Sequence, residues 1–188
     1  MLVSSKYLPL LAVMAALISA SCRLPVAHKT PTPEYAQALL AEHNRYRAEV
    51  GAPALVWDEG VAAYAQEWAN RLAKRKGQLE HRSRKLNPKN YGENLAYRWW
   101  SGSRPASYTT QAVIKQWGDE KQYFRAGKIF DACCSGGECG HYTQMIWAKS
   151  LKVGCGMVQY AHKGGMAEVW VCNYDPAGNW MNAAPLTK

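Results

Sequence analysis

No stretch of the 188-residue sequence reaches the ~20 consecutive apolar residues needed to span a bilayer. The longest apolar run, Tyr7 to Ile18, falls well short, so no transmembrane helix is expected. The sequence also has no GxSxG elbow, no HExxH pair, no Walker or Rossmann glycine pattern and no paired CxxC. These absences disfavour the commonest hydrolase, metalloprotease, nucleotide-binding and zinc-ribbon chemistries. No internal repeat appears. Acidic residues are scarce, 14 against 23 Lys and Arg, giving a formal net charge of +9. If such a basic domain is exported, its partners are anionic walls, glycans or membrane surfaces, not nucleic acid.

Export is what the first residues predict. Lys6 supplies a positive flank, Tyr7 to Ile18 an apolar stretch, and Ser19, Ala20 and Ser21 a small-residue cleavage zone, so residues 1–21 read as a signal peptide. A buried helix would need polar positions at helical spacing, and Leu8 to Ile18 has none. Cys22 follows three small residues, as the acylated cysteine of a bacterial lipoprotein does, although Ser19 stands where leucine is usual. Two destinations follow: free secretion, or membrane anchoring through a lipidated Cys22. Five cysteines lie beyond it, Cys133, Cys134, Cys139, Cys155 and Cys172. Export makes disulfides their fate, and the odd number leaves one thiol over.

Residues 22–32 form a proline-bearing lead-in, 33–182 one domain and 183–188 a tail. Thr32 can cap a helix opening on Pro33, with Leu39, Leu40, His43, Tyr46, Arg47 and Val50 at helical spacing, until Gly51 and Pro53 stop it. Asp58 can cap a second helix, lined by Val61, Ala65, Trp68 and Leu72, that ends near Gly77. A third runs from Tyr108 to Phe124 with Val113, Ile114 and Trp117 inward. Residues 151–160 and 166–174 alternate as strands around a turn at 162–165. Helices early and a hairpin late predict an α+β fold. The long irregular stretch 78–107 contains His81, Glu93 and the Trp99-Trp100 pair, and a segment of that length is functional or hides a strand. The basic run from Arg71 to Lys89 reads as a solvated helix end and loop.

Six longer strings remain: HNRYRAEVGAPALVW at 43–57, GENLA at 92–96, WGDEK at 117–121, GHYTQMIW at 140–147, VGCG at 153–156 and CNYDPAGNW at 172–180. In composition and order they resemble the CAP superfamily of cysteine-rich secretory proteins, antigen 5 and plant pathogenesis-related class 1 proteins, over residues 34 to 180. The resemblance implies an α-β-α sandwich with a small antiparallel sheet between helices. It implies a cleft lined by His81, Glu93, Glu120 and His141. Two neutral imidazoles and two carboxylates are a competent set for zinc or another divalent ion, held weakly in an open cleft. Without metal, the same four can pair as imidazolium and carboxylate. The plant scheme, applied here, keeps Cys133, Cys139, Cys155 and Cys172 as two bridges, Cys133 to Cys139 and Cys155 to Cys172. Cys134 has no counterpart, and could replace Cys133 as the partner of Cys139.

The resemblance implies several functions. The first is a secreted or surface-anchored binding protein for sterol, other lipid or cell-surface ligands. The segment YFRAGKIF at 123–130 sits where relatives carry a sterol-associated loop, making Tyr123, Phe124, Ile129 and Phe130 candidate lipid contacts; Tyr123 and Phe124 can equally pack on the core. The second is a metal-dependent hydrolase with Glu93 or Glu120 as general base. No nucleophile or oxyanion donor is identifiable, so no catalytic residue is assigned. The third is a precursor of a C-terminal signalling peptide, PAGNWMNAAPL, with Leu186 where the family has tyrosine and Thr187-Lys188 beyond it.

Overall fold

The structure, a computed structural model, describes residues 33–76 and 78–186. The leader, Cys22, the Thr32 cap, Gly77 and Thr187-Lys188 lie outside the described residues. Helix α1 (Pro33–Glu49) ends at Gly51, whose φ of 70° is the left-handed conformation that stops a helix. Its inward face buries Leu39 and Tyr46 but also His43 and Arg47. Strand β1 (Val56–Trp57) leads into α2 (Glu59–Lys74), which Asp58 caps by accepting the Val61 N–H at 2.9 Å. Its buried stripe is Val61, Ala65, Trp68, Ala69 and Leu72.

The irregular stretch does hide a strand, β2 (Gly92–Trp100). Helix α3 (Thr110–Gly118), capped by Thr109, is shorter than the periodicity predicts. A side chain at Gly118 would overlap the Tyr46 ring, and beyond that contact the chain tightens into a 3-10 turn, Asp119–Tyr123. A further short helix, α4 (Gly140–Ile146), precedes β3 (Lys152–His162) and β4 (Gly165–Asp175). The last two strands join through Lys163 and Gly164, both at positive φ, the conformation of a two-residue hairpin turn.

The sheet order is β1-β3-β4-β2, with β1 parallel to β3 and the other pairings antiparallel. Alternation along β4 sends Val169 and Val171 toward α2, where they join Trp68, Leu72 and Val158. Trp170, Cys172 and Tyr174 point the other way, into a second core with Leu39, Ile114, Trp117 and Met145 from α1, α3 and α4. Helices thus cover both faces of a small four-stranded sheet, an α-β-α sandwich.

Cys155 faces Cys172 across the hairpin, and the two are disulfide-bonded with Cα atoms 4.1 Å apart. The second bridge corrects the expected pairing: Cys139 joins Cys134, not Cys133. Phe124 and Cys134 form an isolated antiparallel bridge, while Cys133 closes the 3-10 turn Phe130–Ala132. That places the Cys133 thiol in the interior, where it donates to the Phe130 carbonyl at 3.2 Å and burial pushes its pKa up. The three sulfurs lie within 4.8 Å of one another, but the disulfide consumes two of them.

Candidate functional site

His81 follows α2 on an extended segment that α2 holds in place. Trp68 Nε1 donates to the Glu80 carbonyl at 3.0 Å, and the Arg82 guanidinium reaches Glu67 and the Tyr64 carbonyl, both at 2.7 Å. Glu93 stands at the start of β2, opposite Asn173 of β4. One Glu93 oxygen accepts the Arg82 backbone N–H at 3.0 Å and lies 2.9 Å from His81 Nδ1. The carboxylate is nearly buried, while the imidazole it orients is 63% exposed.

A second pair forms on the other side. Cys139 gives α4 no side-chain cap, and Glu120 from the 3-10 turn takes over that role. Its Oε2 accepts the backbone N–H groups of His141 at 2.9 Å and Tyr142 at 3.2 Å, while Oε1 lies 2.6 Å from His141 Nδ1. The His141 ring stacks on Trp117, with centroids 5.9 Å apart.

His81, Glu93 and His141 line one cleft of about 220 Å³ with Asn94, Glu138, Gly140 and Asn179. Glu120 is absent from that lining and sits behind His141. Among the described residues, the only three or more potential ligand atoms that converge within 4.8 Å are the sulfurs of Cys133, Cys134 and Cys139. The four predicted ligands are therefore two imidazole–carboxylate pairs, not one four-ligand cluster. The physical reason is that each carboxylate is already occupied by an imidazole and by backbone N–H groups. With Nδ1 of each ring donating to its carboxylate, each Nε2 keeps a lone pair.

Three asparagines that sequence reasoning did not single out brace the site, and two of them, Asn94 and Asn179, line the cleft. Asn94 donates to the His141 carbonyl at 3.0 Å, Asn179 to the Gly140 carbonyl at 2.8 Å and Asn173 to the Gly92 carbonyl at 2.9 Å. Each sits inside GENLA or CNYDPAGNW, and the density of polar residues in those strings was the available signal. In the segment 123–130, Phe124 packs edge-on to Tyr142 and Phe130 to Trp147. A side chain at Gly137 would overlap the Tyr123 ring, so Tyr123 is packed as well. Only Ile129 of the four candidate lipid contacts is largely exposed, at 41%.

Comparison with known proteins defines the class. Residues 40–174 match the model of the cysteine-rich secretory protein family, CAP, and the chain belongs to that family. Among its relatives, pathogenesis-related protein 1A of Nicotiana tabacum is 40% identical over 162 residues, 86% of this chain and 87% of that protein. Pathogenesis-related protein 1 of Arabidopsis thaliana is 36% identical over 179 residues, 95% and 96% of the two chains. The solved structure of NaASP2 with Zn2+ superposes with a TM-score of 0.65 at 25% identity, covering 85% of this chain and 88% of that one. The chain is thus a CAP-domain protein of the pathogenesis-related class 1 type.

Proposed function

We propose that this chain is an exported, non-enzymatic binding protein that acts on lipid, sterol or other cell-surface ligands, with a cleft that takes a divalent metal between His81 and His141. The observation carrying the metal reading is the pair of Nδ1–carboxylate contacts, at 2.9 and 2.6 Å. A metal-ligating histidine typically donates its other ring N–H to a carboxylate or carbonyl, which fixes the tautomer and raises the basicity of the free nitrogen. Glu93 and Glu120 supply that partner here, so the donor set fits an imidazole-binding ion such as zinc. The related NaASP2 was solved with Zn2+, which supports the choice of ion. Such an ion would supply Lewis acidity or a bridging coordination site. This chain's own residues orient the two rings and hold them through α4 and the segment after α2.

Export rests on the leader sequence and on membership of a secretory family; among the described residues no helix is long and apolar enough to cross a membrane. The binding reading is favoured over hydrolysis because the two glutamates proposed as general bases, Glu93 and Glu120, are committed to imidazoles and backbone amides. The peptide-precursor reading has less support, because the tail is tied down: Phe130 N–H donates to the Ala183 carbonyl at 2.7 Å and Ala148 N–H to that of Pro185 at 2.8 Å.

The test is calorimetric zinc titration of the purified domain beside a His81→Ala, His141→Ala double variant. The wild type should bind zinc and the double variant should not. A Glu120→Gln variant should bind about tenfold more weakly, as loss of an outer carboxylate usually does. Equal affinity in wild type and double variant would remove the metal reading. Turnover of a peptide or ester panel that is abolished by Glu93→Gln would replace the binding protein with an enzyme.

A further inference from the structure

Eight cations lie between Arg71 and Lys89, and the structure divides them. Arg71 and Arg82 pair with Glu67, and Arg75 pairs with Glu80. Lys74, Lys76, Arg84, Lys85 and Lys89 are exposed and have no carboxylate within ion-pair distance among the described residues. Two large apolar side chains are exposed in the same segment, Leu79 at 44% and Leu86 at 41%.

The backbone carrying these groups is also held. Besides the Glu80 and Arg82 contacts, the Tyr64 hydroxyl donates to the Leu86 carbonyl at 3.1 Å and to Asn87 Oδ1 at 2.9 Å. Asn87 bonds Tyr91 through both its side-chain amide and its side-chain oxygen, at 2.9 and 3.2 Å. The Arg82 guanidinium lies over the rings of Tyr64 and Trp68, at 3.7 and 4.8 Å from their centroids. Cations and leucines are therefore presented from a framework built before any partner arrives, which lowers the ordering cost of binding.

We infer that Lys74 and Lys76 at the end of α2, together with the described segment from Leu79 to Lys89, form a docking surface for an anionic lipid bilayer. The five free cations face the negative headgroups, and Leu79 and Leu86 enter the headgroup–acyl boundary. Anionic surfaces attract each nearby Lys or Arg, and apolar side chains convert that attraction into partial insertion. An anionic polysaccharide would answer the same cations, but its hydrated chain offers nothing to the leucines, so the leucines favour the bilayer. The inference deepens the surface-binding part of the proposed function and does not depend on the metal. His81 lies within this segment, so docking would hold one wall of the cleft close to the membrane.

The experiment is co-sedimentation of the purified domain with phosphatidylcholine vesicles, with and without ~30% phosphatidylserine, at ~0.1 M and ~0.5 M salt. The wild type should bind only the anionic vesicles and leave them at high salt. Lys85→Glu, Lys89→Glu should weaken binding by about 100-fold, and Leu79→Ser, Leu86→Ser by about tenfold. All of these side chains are exposed, and unchanged circular dichroism and zinc affinity would show that fold and cleft survive. Failure of the wild type to bind anionic vesicles would overturn the inference while leaving the metal reading intact. Leucine variants that bind as the wild type does, with polygalacturonate displacing both equally, would assign the surface to a polysaccharide instead.

Discussion

A single buried imidazole shows how far a residue's setting can move its chemistry. His43 is completely buried in α1, with Nδ1 2.8 Å from the Leu39 carbonyl and Nε2 2.9 Å from the Tyr174 hydroxyl. Burial, with the Arg47 charge assisting, lowers its pKa to about 4 against the partial opposition of the Leu39 carbonyl and Glu42. The sign follows from proton counting. Between pH ~6.5 and ~4 the unfolded chain takes up a proton that the folded one refuses, so the stability His43 contributes above pH 6.5 is lost as pH falls toward 4. The expected loss is roughly 3 kcal/mol across that window. Urea midpoints at pH 7 and pH 4.5 should differ by most of this in the wild type and by much less in His43→Gln. An equal drop in both would place the titration elsewhere. The effect reaches the cleft, because Asn94 donates both to the Tyr174 hydroxyl, at 3.2 Å, and to the His141 carbonyl.

Between elements, the tightest joint is where α2 lies on β3. A side chain at Gly154 would overlap the backbone nitrogen of Ala62, and one at Gly156 the Cα of Gln66. Backbone cannot yield as a flexible side chain does, so Gly156→Ala should cost about 3 kcal/mol or more and lower the melting temperature. Gly51→Ala meets no atom within 4 Å and should cost only about 1 kcal/mol, from its positive φ. Comparable losses in the two would mean that α2 slides to relieve the overlap. The same joint shows what the sequence could reveal. The helices α1 and α2 were readable because each buries one face at helical spacing, and the β3–β4 hairpin because its two apolar strands flank a glycine-bearing turn at 162–165. Strand β2 was not, because it interrupts its apolar positions with Glu93, Asn94 and Arg98, whose partner Glu168 lies on β4. Helix α4, at seven residues, is too short for periodicity to register. Of the predicted site, the strings contain Glu93, Glu120 and His141, while His81 lies outside all of them. That each glutamate would stand behind a histidine depends on backbone N–H groups at 82, 141 and 142, which no side-chain pattern announces.

At the scale of the whole molecule, two apolar cores share one sheet, and a cation without a carboxylate adds a polar tie to the apolar packing of α1. Arg47 is fully buried, and its guanidinium donates to the carbonyls of Pro53, Met145, Trp147 and Ser150. Those acceptors lie after α1 and around the end of α4, so one side chain holds α1 against the segment that enters β3. Burial lowers its pKa to about 10, still above any ordinary working pH, so it stays charged and the four carbonyl dipoles must compensate it. Arg47→Met keeps much of the volume but leaves those carbonyls unpaired in the interior, at a cost of about 3–5 kcal/mol. Against a typical total stability of ~5–15 kcal/mol, that loss should appear as a large fall in the urea midpoint. If the shared sheet makes the two cores one cooperative unit, tryptophan fluorescence and far-ultraviolet circular dichroism should follow a single coincident transition in both wild type and variant. Should the variant instead lose the tryptophan signal in a separate, earlier transition, the two faces of the sandwich would be independent, with Arg47 holding only its own layer.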